Sequence, residues 1–172
     1  MIKILHYALG LPPVNTGGLA KQPENIMVRQ VANGNEVSLV YPGNTSIDRE
    51  LEIKNNKSFN NIKVYEINNP ISATLLSGEH DPKVSLRHIG FNIYTDFLKT
   101  IEVNIIHIHT LVNLDEEFIS AANKMDIKIV FTAHDYLEIC PKVKSTGSGE
   151  TCTDNCKDRK STRLNSSHRL YL

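Results

Sequence analysis

Nowhere does the 172-residue chain carry an apolar run approaching the roughly 20 residues that a membrane span needs. Nor does it carry an excess of either charge: 19 basic residues face 19 acidic ones, and the pI is about 7.1. That balance disfavours an electrostatic nucleic-acid binder, and no nucleic-acid partner is expected. Cysteine is scarce and late, at positions 140, 152 and 156 only. An odd number without a secretory signal argues against a disulfide framework and for a reducing compartment. The opening MIKILHYALG is too short, and too soon interrupted by Pro12 and Pro13, to be a signal peptide. A soluble cytoplasmic protein is the expectation. Gly10 and the Gly17-Gly18 pair have the wrong spacing for GxGxxG, and no P-loop is present, so a plain nicotinamide dehydrogenase is disfavoured.

What is present is an alternation of strand and helix patterns. The length fits one domain, which at this size buries roughly 70% of the unfolded chain's surface. Ile2–Leu9 reads as a first strand, followed by a loop from Pro12 to Gly18 and a helix from Leu19. Ile26, Met27 and Val31 give that helix one apolar stripe, and Asn33-Gly34-Asn35 ends it, with Gly34 or Asn33 able to take the left-handed position. Pro23 implies an irregular first turn. Glu36–Tyr41, Ile62–Ile67, Val103–His109 and Ile127–Thr132 read as further strands, while the polar stretch 46–61 offers at most a short one at Leu51–Ile53. A helix from Ile89 buries Ile93, Tyr94, Phe97, Leu98 and Ile101. Another follows Asn113-Leu114-Asp115-Glu116, an N-cap with a glutamate three residues on, and buries Phe118, Ile119, Ala122 and Met125. Strands separated by helices predict an α/β fold: a Rossmann-like, doubly wound, mostly parallel sheet. In the strand order 3-2-1-4-5, Ile127–Thr132 would be an unprotected apolar edge, which predicts poor solubility.

Four places could carry chemistry. Gly17-Gly18, between first strand and first helix, would let backbone N–H groups approach a phosphate, or simply make a turn. His107 and His109 alternate along one strand and so face one side. His107 reads as a hydrogen-bonded core histidine, and His109, nearer the strand end, as the one facing the cleft. His134-Asp135 follows a buried strand at its carboxyl end, where open α/β sheets keep their sites. The imidazole there can bond a sugar hydroxyl or phosphate or handle a proton near neutral pH, and Asp135 can orient it or cap the next turn. Cys140, Cys152 and Cys156 form C-x11-C-x3-C, one thiolate short of a closed zinc site; free thiols without metal are the expectation.

Asp158–His168, DRKSTRLNSSH, has no apolar periodicity. One permitted codon choice for it resembles a short-read sequencing adapter, so residues 158–172 are expected to be a non-native disordered tail. Residues 1–157 are expected to be an incomplete domain whose gene continues.

In order along the chain stand PPVNTGGLA, GNEVSLVYPG, VNIIHIHT and FTAHDYLEICP. This set resembles the N-terminal domain of the GT-B glycosyltransferases of family 4, where the second, third and fourth segments correspond to GHEV, D-(I/V)-(I/V)-H-x-H and T-x-H-D-(Y/F)…C-P. The resemblance spans residues 1 to about 157. It implies the N-terminal half of an enzyme that moves a sugar from a nucleotide-sugar donor to a glycan or lipid-linked acceptor, this domain forming the acceptor side of the cleft. By resemblance His134 is catalytic, beside the transferred sugar, and Gly17, Gly18, His109 and Asp135 bind substrate. No metal or other cofactor is required. The partners implied are a C-terminal donor-binding domain with its Glu-x7-Glu motif and, for the whole enzyme, a peripheral membrane association. The chain alone is expected to be inactive. Asn104 stands where the family has an acidic residue, and Asn35 where it often has histidine. Two other readings use the same residues: a metal-dependent hydrolase built on His107, His109, His134 and Asp135, and a non-catalytic glycan-binding module.

Overall fold

The computed structural model describes residues 1–10, 18–43, 51–68, 90–134, 146–147 and 150–151. The chain divides into two compact units, Met1–Thr132 and Ala133–Leu172. In the second, the described residues include a two-stranded antiparallel hairpin, Thr146–Gly147 with Glu150–Thr151. The expected boundary at 157/158 lies outside the described residues.

The first unit runs β1 (Lys3–Tyr7), α1 (Gly18–Ala32), β2 (Glu36–Pro42), β3 (Glu52–Phe59), β4 (Ile62–Asn68), α2 (Gly90–Ile101), β5 (Ile105–Ile108), α3 (Glu116–Lys124) and β6 (Lys128–Phe131). Its six strands form one sheet in the order β3-β4-β2-β1-β5-β6, parallel throughout except for the β3–β4 pair. This is the doubly wound α/β arrangement, with winding that reverses between β1 and β5. The sheet's period of two sends alternate side chains to opposite faces. Leu5 and Tyr7 of β1 and Ile106 and Ile108 of β5 pack with Tyr94 and Leu98 of α2 and Phe118 and Ala122 of α3. On the other face Ala8, Val37, Leu39, Ile62 and Val64 pack with Met27 of α1. β6 ends the sheet, and its Val130 is 45% exposed. No helix among the described residues is long and apolar enough to cross a membrane.

The polar stretch hid an entire strand. β3 spans eight residues rather than three, and turns into β4 through Asn60 and Asn61, both at positive φ (48° and 63°). Two left-handed residues between paired Phe59 and Ile62 make the type I′ geometry of a tight hairpin, which asparagine tolerates. Pro23 also behaves differently from expectation: α1 is helical from Gly18, five residues before it. Lacking an N–H, Pro23 leaves the carbonyl four residues back without its helical partner, a loss one turn into the helix that the rest of α1 absorbs.

Specific hydrogen bonds close the end of α1 and open α3. At the end of α1, Gly34 (φ 80°) bonds back to the Val31 carbonyl and the Asn35 N–H to the Gln30 carbonyl, a Schellman closure. Asn35 then holds the Ile2 N–H through its side chain. The N-cap of α3 is Asp115, two residues beyond the Asn113 that the sequence pattern favours. Its Oδ1 accepts from the Glu117 N–H at 2.9 Å, and its Oδ2 accepts from the buried Tyr94 hydroxyl at 3.1 Å. Burial raises the Asp115 carboxyl above its ordinary value, and these two bonds oppose the rise. Removing the carboxylate therefore strips a cap and strands a buried hydroxyl. Asp115→Ala is expected to cost about 2 kcal/mol in denaturant unfolding, and Asp115→Asn less than about 1 kcal/mol. Equal losses for the two would show that the capping bond to Glu117, which the asparagine oxygen keeps, contributes nothing.

Candidate functional site

β1 and β5 are parallel neighbours whose register sets His6 directly across from His107. Because His107 and His109 are two residues apart, His109 comes to the same side, and three imidazoles meet where the winding reverses. Ring centroids are 5.0 Å apart for His6 and His107, 5.2 Å for His6 and His109, and 4.1 Å for His107 and His109. In open α/β sheets the crevice at the carboxyl ends of the strands, at this reversal, is where ligands bind.

The imidazoles are wired together. His6 Nε2 lies 2.6 Å from Gln30 Oε1 of α1, and His6 Nδ1 lies 2.9 Å from His109 Nε2. A carbonyl oxygen only accepts, so His6 carries its proton on Nε2 and accepts at Nδ1 from the His109 Nε2–H. His107 Nε2 meets Thr132 Oγ1, at the end of β6, at 2.8 Å. Burial pushes the His6 imidazole down to about 4, against the opposing pull of the Gln30 bond and with help from neighbouring His107. His6 is fully buried and neutral at physiological pH.

The loop leaving β5 closes this corner. The His109 N–H donates to the Tyr7 carbonyl at 2.9 Å, and the Tyr7 hydroxyl donates to the Val112 carbonyl at 3.0 Å. Buried Thr110 takes the Val112 N–H on its hydroxyl. Asn113 sits at positive φ (55°) with a buried Oδ1 that has no hydrogen-bond partner. A strained residue and an unsatisfied acceptor at a strand's carboxyl end are features that cluster at functional sites.

The burial of the His-x-His pair runs opposite to expectation. His109 is 2% exposed and hydrogen-bonded to His6, whereas His107 is the half-buried one. His109 is drawn inward by the bond from its backbone to Tyr7 and by the ring of His6 beneath it. His6, Gln30 and Thr132 are the participants that the sequence did not reveal. Gly18 is the first residue of α1, whose first turn has no acidic side chain. His134 follows Thr132 by two residues and is half-buried in the second unit. Gly17, Asp135, Cys140, Cys152 and Cys156 lie outside the described residues.

No family model matches the chain, and no curated protein matches it. Among solved structures, it is similar to one titled "Trehalose-6-phosphate from E. coli bound with UDP-2-fluoro glucose". The identity is 18%, the TM-score is 0.44, and the match covers 77% of this chain and 33% of that one. The chain thus spans about a third of that protein's length.

The buried His6 gives stability a definite pH dependence. The fold accepts the neutral ring, so this contribution is complete above the ordinary value of 6.5 and is lost as pH falls from 6.5 through about 4. The shift corresponds to about 3 kcal/mol. The wild type is therefore expected to lose about that much more stability than a His6→Gln variant between pH 7 and pH 4, measured by urea unfolding. Parallel losses in the two proteins would show that His6 is solvated.

Proposed function

We propose that this chain is the N-terminal, acceptor-side domain of a glycosyltransferase of the GT-B type that uses a nucleotide-sugar donor. The observation that carries the reading is the coincidence of order and place. The segments that resemble family 4 fall in order along the chain after β1, along β2, along β5 and from the last residue of β6. Fold alone hosts many chemistries, so the weight rests on those segments.

In this reading the start of α1 faces the donor diphosphate or the acceptor. The fifteen-residue helix presents its unpaired N–H groups there, and its first turn carries no acid to cancel the positive end of the dipole. Such an end, with basic side chains from the second domain, stabilises a leaving diphosphate without a metal. His134 lies beside the transferred sugar, bonding a hydroxyl or handling a proton, and Asp135 orients it. His109 serves through its place in the imidazole network, holding the loop 109–115 that borders the cleft. Donor binding falls to a second Rossmann-like domain, and a glycan or lipid-linked molecule is the acceptor.

Sequencing genomic DNA across the codon for Asp158 tests the reading first. An open frame continuing into a second Rossmann-like domain is expected, and a frame ending near residue 172 would contradict it. The product of the longer frame is then expected to release nucleoside diphosphate from a sugar nucleotide when acceptor is added. His134→Ala should lower kcat by about 100-fold or more, and the 172-residue chain alone should give no turnover. Full activity in the His134 variant would remove it from the chemistry.

A further inference from the structure

The three-histidine corner has the makings of something that the transferase reading neither requires nor supplies. One ligand nitrogen from each of His6, His107 and His109 lies within 4.8 Å of the other two. Around a tetrahedral zinc ion with Zn–N near 2.0–2.1 Å, ligand nitrogens stand about 3.3 Å apart. The His6–His109 contact is already 2.9 Å, so ring rotations moving the nitrogens on the order of 1 Å would place all three around one ion. Two of the rings are also braced as metal-bound histidines usually are. Gln30 Oε1 takes the Nε2–H of His6, whose Nδ1 faces His109, and Thr132 Oγ1 sits on Nε2 of His107.

We propose that His6, His107 and His109 form a binding site for a divalent transition-metal ion of the zinc class. Three imidazoles suit zinc, copper, nickel or iron better than the oxygen-seeking magnesium or calcium. Three protein ligands leave a fourth position for water or a small ligand. As the ion binds, the proton that His109 donates to His6 moves through solvent to Nδ1 of His109, and the two facing nitrogens are joined by the ion instead. It thereby ties β1 to β5 and, through Thr132, to the end of β6. Half-buried His107 is the ring nearest the surface and marks the way in. The site is distinct from the four-residue hydrolase arrangement, because its third ligand comes from β1 rather than from His134. It does not depend on the transferase reading.

The test uses the full 172-residue chain, both as it stands and with Cys140, Cys152 and Cys156 replaced by serine, so that thiolate binding is separated from imidazole binding. Zinc is titrated by calorimetry, and cobalt is added in parallel, because a tetrahedral cobalt site shows intense visible absorption. One zinc per cysteine-free chain is expected, with a rise in melting temperature on binding. Gln30→Leu, which removes a bracing oxygen without touching a ligand, should weaken zinc binding by about 10–100-fold. His107→Ala should abolish the cobalt spectrum. That residue is half-buried, and retained cooperative melting of the metal-free variant shows that it still folds. Absence of zinc binding by the cysteine-free chain, or binding unchanged by both Gln30→Leu and His107→Ala, would overturn the proposal.

Discussion

The parallel pairing of β1 with β5 is the contact on which the rest of the structure depends. It joins the two halves of the winding, and it is locked at its start by Asn104, whose N–H donates to the Lys3 carbonyl at 2.9 Å while its side chain takes the Lys3 N–H at 2.8 Å. That pair of hydrogen bonds fixes the register. A slip of one residue would turn every side chain of β5 to the other face. Ile106 and Ile108 would then leave the core they share with α2 and α3, and His107 would leave His6. Asn104, which departs from the acidic residue of the resembled family, is thus the residue that aligns the site.

From this register the polar corner arises by packing. On the α2–α3 side the alternation buries Tyr7, Tyr94 and Phe118, with Tyr94 and Phe118 edge to face at 5.4 Å. On the α1 side the same strands bring imidazoles together, and burying them demands partners, because an unbonded polar group in the interior is costly. Gln30 supplies one. Its position is set by the Schellman closure of α1, where its own carbonyl receives Asn35. The helix stop, the amide and the first histidine therefore form one unit: the helix ends where it does, and so Gln30 points at His6.

Much of this was legible in the sequence. The strands Ile2–Leu9, Glu36–Tyr41, Ile62–Ile67, Val103–His109 and Ile127–Thr132 announce themselves by β-branched runs, and their expected spatial order is the one observed. Gly34 announces the end of α1. The edge strand β3 was not legible, because an edge strand needs only half a face covered and EIKNNKSF buries little. The signal that would have found it is Asn60-Asn61, a pair suited to the left-handed turn. His6 was not legible either. A single histidine in a strand carries no sign of its neighbours, and the His-x-His pair shows only that two rings share a side. The third ring enters through a register set by Asn104, about a hundred residues away. The same long-range dependence explains why His109, rather than His107, is the buried member.

The central claim is that a hydrogen-bonded imidazole network, with a neutral His6 at its buried end, occupies the reversal point of the sheet. Long-range nitrogen–proton NMR of the histidine rings in the metal-free protein at pH 7 tests it most directly. The account predicts a neutral His6 ring protonated at Nε2, with that proton protected from exchange and Nδ1 shifted as a hydrogen-bond acceptor. A His6 ring averaging between tautomers and exchanging freely with water, as an exposed histidine does, would contradict it.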